Sequence, residues 1–567
     1  MRAPTTFAVA LLLVVTVLRW TSSIPMRGPH PWTVLLCKFR GNNWEPQAPL
    51  WFWSWINDDS AEGAVGAYFK TVSNDVYSVR DSLVYGWLPM RYSKEDVDRL
   101  VRADRRPSGK SHEVRVFHKT KLLCFEEARR RRAHIPDPER VIVVVNDENT
   151  ALFCKENGVL LTPRYLMSSA LAHEMTHSFR LGHSYSDRRR RVFPHSSEGE
   201  YDDKYDLMST ANAFMHRSPL YGMYGPGLNG PHLDYLGWLP MSSRRLFGAN
   251  GEQEELVRLS PLSAGAAAER ADDATVLLLL PYDRDEPLNV YTVELRLRES
   301  NDRGIRPSGA VVLHRVERKA DGHLYSYVVT FDGAYYELLD GNEWLEFIES
   351  APNGAFRFIK IRVEKIDPVG RFADVRVTST FAPGECGQQE RRRAADSRVC
   401  VTDAELQRVA AMERGARQKV GPDGRCPDGF LPRDAFPDDR TCVSRSDRDV
   451  IVEQDERQRL RDAFFTASTT FGLNACRPGY SWRGLDAFDY VCVTERRRTE
   501  LREQNGEQTR RRRADGVCRA GYVRRRAFGE EDAACVTRAE QRLSDDDNRR
   551  QSQRLRYYQF FNGADPL

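Results

Sequence analysis

The 567-residue chain contains no Asn-x-Ser/Thr sequon and no Cys-x-x-Cys pair. The first absence leaves no acceptor for N-linked glycans, and the second argues against a cysteine-built zinc site or a thioredoxin-like redox centre. Internally it also lacks an apolar stretch of about eighteen residues, the length a membrane-spanning helix needs. The strongest internal runs, Val141 to Val145 and Val276 to Leu280, are strand-sized. An excess of one charge sign is missing as well, since 85 Lys and Arg stand against 81 Asp and Glu for a formal net charge of +4. That balance gives no whole-molecule field for nucleic acid, and no nucleic-acid partner is expected. The arginine runs 129–132, 188–191 and 510–513 read as local solvated surface, with an anionic surface or polymer, or trypsin-like processing, as competing readings.

What is present begins with an export signature. Met1-Arg2, the twelve apolar-rich residues Phe7 to Leu18, and Thr21-Ser22-Ser23 follow the order charged, apolar, small. Twelve residues are too few to span a bilayer. Residues 1–23 are therefore expected to be a signal peptide, and the mature chain a soluble, secreted protein with no transmembrane segment.

The chemistry is concentrated in His173-Glu174-Met175-Thr176-His177-Ser178-Phe179-Arg180-Leu181-Gly182-His183. On a helix, residues i and i+4 share a face, so His173 and His177 can aim their imidazoles at one point. Glu174 is turned about 100° from His173 and can reach a water there without being a ligand. His183 makes a third nitrogen donor, and three protein ligands with a fourth position open are the pattern of a catalytic zinc, here one Zn2+ ion. A helix continued to His183 would carry it far up the axis, so the chain is expected to turn back after Phe179 with Gly182 as pivot. Thr162-Pro163 reads as an N-cap and first turn, and Leu166, Ala170, Leu171 and Met175 as the apolar stripe of the helix.

Downstream stand Tyr201-Asp202-Asp203-Lys204-Tyr205-Asp206-Leu207-Met208-Ser209, then Gly225-Pro226-Gly227-Leu228-Asn229 and Leu236-Gly237-Trp238-Leu239. Together with H-E-x-x-H-x-x-x-x-x-H, this resembles the metzincins, zinc endopeptidases with a methionine turn beneath the metal, and most closely their secreted gametolysin-like and immune-inhibitor-like branch. The resemblance implies an α/β (α+β) peptidase domain. It implies zinc on His173, His177 and His183, Glu174 as general base for a zinc-activated water, and Met208 packed under the ligands. Its substrate would be a protein or peptide. The chain departs from the pattern at Arg180, where metzincins usually carry a left-handed glycine, and at Thr210, where some carry a tyrosine. Tyr201 and Tyr205 are candidates for that missing hydroxyl, set against a packing role. In that clan an edge strand holds the substrate by backbone pairing, and Val141 to Val145 is a candidate for that sheet, as its edge or as a buried central strand.

The expected architecture is multidomain. The peptidase-like domain spans 31–240, with Trp32 to Cys37 and Arg140 to Val145 as early strands. Residues 241–380 hold short β-like runs between Asp, Gly, Asn and Pro turns, at 276–280, 291–297, 309–316, 324–331, 356–363 and 372–377, which indicate an all-β sandwich. His314 within one run reads as structural. Residues 381–567 form four cysteine-pair repeats with polar helical or flexible spacers: Cys386 to Cys400, Cys426 to Cys442, Cys476 to Cys492 and Cys518 to Cys535. Three of them show C-x-x-G-[FY], then A-F, then C-V-[ST]. A disulfide within each copy is expected, contributing on the order of 3 kcal/mol. The copies resemble cysteine-clasped repeats of secreted bacterial proteins, and a surface or a glycan is their candidate partner. Of the eleven cysteines, Cys37, Cys124 and Cys154 lie outside the repeats. Cys124 with Cys154 is the expected clasp, and Cys37 is expected to be buried in its strand. The alternative to an endopeptidase is a secreted non-catalytic zinc-binding or adhesion protein acting through the repeats.

Overall fold

The computed structural model describes residues 24–105, 111–148, 152–154, 158–209, 212–249, 251–263, 274–351, 354–381, 384–415, 420–422, 425–466, 472–529, 531–557 and 560. The segment 1–23, expected to be a signal peptide, and Thr210 lie outside these residues. The protein is a multidomain, mixed α/β molecule with several sheets and disulfide-stapled C-terminal units.

The first unit is built from β1 (Thr33–Lys38), α1 (Pro49–Asn57), α2 (Val65–Val72), β2 (Leu83–Pro89), α3 (Lys94–Ala103), α4 (His112–Arg130), β3 (Val141–Val145), β4 (Leu152–Cys154), β5 (Val159–Leu161) and α5 (Ser168–His177). Its sheet has the order β2-β1-β3-β5-β4, parallel except for β4, which runs antiparallel to β5. Every residue of β3 is buried, as expected of a parallel strand covered on both faces. Strand alternation divides the core. Leu35, Cys37, Val143, Val145 and Leu160 face Val97, Val114 and Leu123 of α3 and α4. Val34, Leu36, Ile142 and Val144 face Phe52, Trp55, Phe69 and Leu171 of α1, α2 and α5. Val141 to Val145 is thus the central strand, and the edge beside α5 is β4.

Two expectations are corrected here. Cys124 bonds to Cys37, not to Cys154, because Cys37 points to the face of β1 that α4 covers. The bridge closes 87 residues. The helix that carries His173 and His177 does not begin at Thr162-Pro163 either. Pro163 opens a separate 3-10 turn ending at Tyr165, and α5 begins at Ser168, whose hydroxyl accepts from the Trp55 indole at 2.7 Å and whose N–H donates to the Tyr221 carbonyl. Tertiary partners at Ser168 override the local cap signal.

After the helix come β6 (Tyr185–Ser186), α6 (Gly230–Leu236) and the strands β7 (Arg244–Leu246), β8 (Gln253–Leu259), β9 (Leu277–Pro281), β10 (Val290–Arg296), β11 (Ala310–Arg318), β12 (Leu324–Val328), β13 (Glu343–Ser350), β14 (Phe356–Asp367) and β15 (Phe372–Ser379). They form two sheets, β7-β9-β10-β11-β12-β6 and β8-β15-β14-β13, with a shared core that includes Val257, Leu278, Val293, Ile361 and Val375. One strand of the first sheet comes from the upstream unit. Tyr185 and Ser186, just past His183, pair in parallel with Tyr327 and Val328.

The repeats are four hairpins, each closed by its disulfide. An arginine seven residues after the first cysteine is buried in every copy: Arg393, Arg433, Arg483 and Arg525. In three copies it makes a two-pronged ion pair with the aspartate three residues before the second cysteine, Asp439, Asp489 or Asp532. The first copy has Ser397 at that position, and Arg393 instead reaches Gln454 and Asp455 of the second copy's helix. The copies interlock in two reciprocal pairs. Gln458, after the second copy, caps the Cys400 N–H of the first, while Arg433 of the second copy donates to Val409 in the helix of the first. Gln551 and Gln508 cap Cys492 and Cys535 across the third and fourth copies in the same way. That second pair docks on the upstream unit: the Tyr490 hydroxyl donates to the Leu239 carbonyl at 2.8 Å, and Asn474 donates to the Asp234 and Tyr235 carbonyls. No described helix is long and apolar enough to cross a membrane, and five disulfides are consistent with an extracellular protein.

Candidate metal centre

Helix α5 places His173 and His177 one turn apart, with Glu174, also buried, beside them. The chain then reverses so that His183 joins the pair, and one ligand atom from each histidine lies within 4.8 Å of the others. The residue that makes the reversal is Arg180, in the left-handed region at φ 62°, and not Gly182. That conformation costs a non-glycine residue roughly 1–2 kcal/mol. It brings the Leu181 carbonyl back to accept from Nδ1 of His177 at 2.8 Å.

Each imidazole is held by an outer partner. Nδ1 of His173 faces the Leu207 carbonyl at 3.0 Å, and Nδ1 of His183 faces Oε1 of Glu200 at 2.6 Å. With Nδ1–H donating outward, the Nε2 lone pairs of His173 and His177 are left facing each other at 3.1 Å. Two such acceptors repel unless a cation lies between them, and two nitrogens on one tetrahedral ion stand about 3.3 Å apart. Burial, reinforced by the neighbouring His183, drives His173 down to about 3, and burial with both neighbours depresses His177 further. This keeps the rings of His173 and His177 neutral, the state a metal requires. The three histidines can therefore hold a metal ion.

Met208 sits fully buried in a 3-10 turn, Leu207–Ser209. Its backbone supports two ligands: the Leu207 carbonyl meets His173, and the Met208 carbonyl accepts from Ser184 beside His183. Asp206 holds this turn, accepting from the Met208 N–H through one oxygen and from the Asn229 N–H through the other. His232 lies 2.6 Å from that second oxygen. Tyr201 packs its ring on His183 with centroids 4.0 Å apart, whereas Tyr205 packs on Phe214 in a separate cluster. His314 is buried and pairs through Nε2 with Asp203 at 3.0 Å, a structural role and no part of the three-histidine group.

Glu200 is the residue that sequence reasoning missed. Burial would push its carboxyl up, but hydrogen bonds from His183 and the Ser197 N–H outweigh it and hold it below the usual carboxylate range. Nothing in Ser197-Glu198-Gly199-Glu200 marks which glutamate turns inward.

No family model matches the chain, and no curated protein and no solved structure matches it either.

Proposed function

We propose that the protein is a secreted zinc endopeptidase of metzincin type. The observation that carries the reading is the convergence of three imidazoles, His173 and His183 buried and His177 half-buried, beside Glu174 of α5. His173, His177 and His183 would hold the ion. Nitrogen donors suit zinc, and a three-residue set leaves a position open. When bound, zinc supplies a Lewis acid that polarises a carbonyl and makes water easier to deprotonate. The chain's own part is proton traffic and positioning. Glu174 takes a proton from the attacking water and hands it to the departing amine. The backbone of the Met208 turn and Glu200 hold the ligands in register. Beside α5, the edge strand β4 offers backbone groups to an extended peptide, which supports a protein or peptide substrate.

Metal analysis paired with digestion of a peptide library tests this. The purified chain should carry one equivalent of zinc and cut peptides. Glu174→Ala should keep the zinc and lose at least about 100-fold in rate, while His177→Ala should lose both. Full cleavage by the zinc-loaded Glu174→Ala protein would falsify the mechanism.

A further inference from the structure

The fourth repeat differs from its siblings in the charge it gathers on one face. Arg524 and Arg526 on its hairpin, with Arg538 and Arg542 on the helix that follows, line one open cavity of about 620 Å³ with Tyr522 and Gln541. Gln541 fixes the two elements together by donating to the Arg524 carbonyl at 2.9 Å. All four arginines are exposed and Tyr522 is half-buried. At the equivalent positions the third copy has Trp482, Gly484, Glu495 and Thr499, and the second has Pro432, Asp434, Arg445 and Asp449. The arginine cluster is therefore peculiar to this copy.

Its placement works against the local helix. Arg538 is the first residue after the Thr537 N-cap, where the helix dipole favours an anion. The first and third copies carry Asp403 and Glu495 there. Arg538 and Arg542 are also a like-charge i,i+4 pair, which destabilises a helix by a few tenths of a kcal/mol. Four exposed guanidinium groups gathered around a cavity and an aromatic ring are suited to multidentate recognition of sulfate or carboxylate groups. In an extracellular, disulfide-bonded setting the linear polymers bearing such groups are polysaccharides.

We propose that this cavity binds a sulfated or carboxylated polysaccharide and thereby tethers the protein to it. The proposal does not depend on the metal centre being a peptidase.

The full chain is tested by anisotropy with fluorescent heparin oligosaccharide at about 0.15 M NaCl. Neutral dextran, duplex DNA and phosphatidylserine vesicles serve as competitors. The expected result is saturable binding displaced by dextran sulfate and not by dextran, and weakened about tenfold or more in Arg538→Ser/Arg542→Ser. Removing these two charges relieves the helix, so loss of folding does not confound the variant, and its zinc content should be unchanged. An Arg398→Ser/Arg440→Ser control removes the same charge from exposed positions in the first two copies and should bind as the parent does. Absence of heparin binding, equal loss in the control, or displacement by DNA or vesicles as effective as by dextran sulfate would each overturn the proposal.

Discussion

At the residue scale the centre depends on two positions of unequal visibility in the sequence. His173, Glu174 and His177 are legible because helical geometry fixes their spacing, whereas His183 is legible from the longer histidine motif and Met208 only from the family resemblance. Glu200 is not legible, because the loop that returns it to His183 closes through the Tyr201 ring on His183 and a bridge between Glu200 and Tyr185. An outer carboxylate on a ligating imidazole sets the ring's tautomer and orientation. Glu200→Gln should therefore weaken zinc affinity by about 10–100-fold, read by competition with a chelating dye, while the far-ultraviolet circular dichroism stays that of the parent. Unchanged affinity would reduce Glu200 to packing. Arg180 is the converse case, visible in the sequence as a departure and resolved only by the backbone. Since Arg180 itself takes the left-handed turn at φ 62°, the strain is present in the native chain. Arg180→Gly and Arg180→Ala both delete the side chain's contacts but differ in that strain. The glycine variant should be the more stable by about 1 kcal/mol in thermal unfolding. Equal stability of the two would show that the turn is not held in this conformation.

At the element scale, periodicity located most strands but not their neighbours. The runs at 276–280, 291–297, 309–316, 324–331, 356–363 and 372–377 all fall within strands β9, β10, β11, β12, β14 and β15 or at their ends. β8 and β13 escaped notice because charged residues break up their apolar pattern, Glu254, Arg258 and Glu343 on outward faces and Glu346 on the same side as Trp344. The repeats show the same division. Their cysteine pairing was legible from spacing, whereas the buried Arg–Asp pair inside three of the hairpins was hidden among 85 basic and 81 acidic residues. A buried ion pair broken on one side leaves an uncompensated charge, at a cost of about 3–5 kcal/mol. Asp489→Asn should accordingly lower the melting temperature of the third and fourth repeats and raise their susceptibility to proteolysis. Asp486→Asn, three residues away on the surface contact with Arg27, should do so far less. If the two variants melt alike, the internal pair is not what holds the hairpin.

At the scale of the whole molecule, the upstream unit and the β-rich unit are joined through the support of the metal centre. The segment that carries Met208 also carries Asp203 and Asp206, and these meet Asn229 of the α6 cap and His314 of β11, while Asn229 in turn donates to Ser326 of β12. Glu294, Arg296 and Asp302 continue the network from β10. Such contacts link residues about a hundred positions apart, as with Asp203 and His314, and no local pattern announces them. They have a pH signature. Burial alone would lower the His314 pKa, but the carboxylates of Glu294 and Asp203 outweigh it and raise it above the ordinary value. A raised folded-state pKa means that the stabilisation is complete below the unfolded value, about 6.5, and is lost as pH rises through the folded value. For Asp203, burial is likewise outweighed by His314 and the pKa falls, so its contribution is present above the unfolded value and is lost in acid as pH falls through the folded one. His314→Gln keeps a donor for Asp203 and removes only the titrating charge. The difference in melting temperature between the parent and this variant should be largest near pH 6 and shrink as the pH is raised from about 6.5 towards 9, measured in the zinc-loaded proteins by differential scanning calorimetry. A difference that stays constant over that range, or grows, would mean that His314 is neutral in the folded protein and that the units are joined by packing and hydrogen bonds alone.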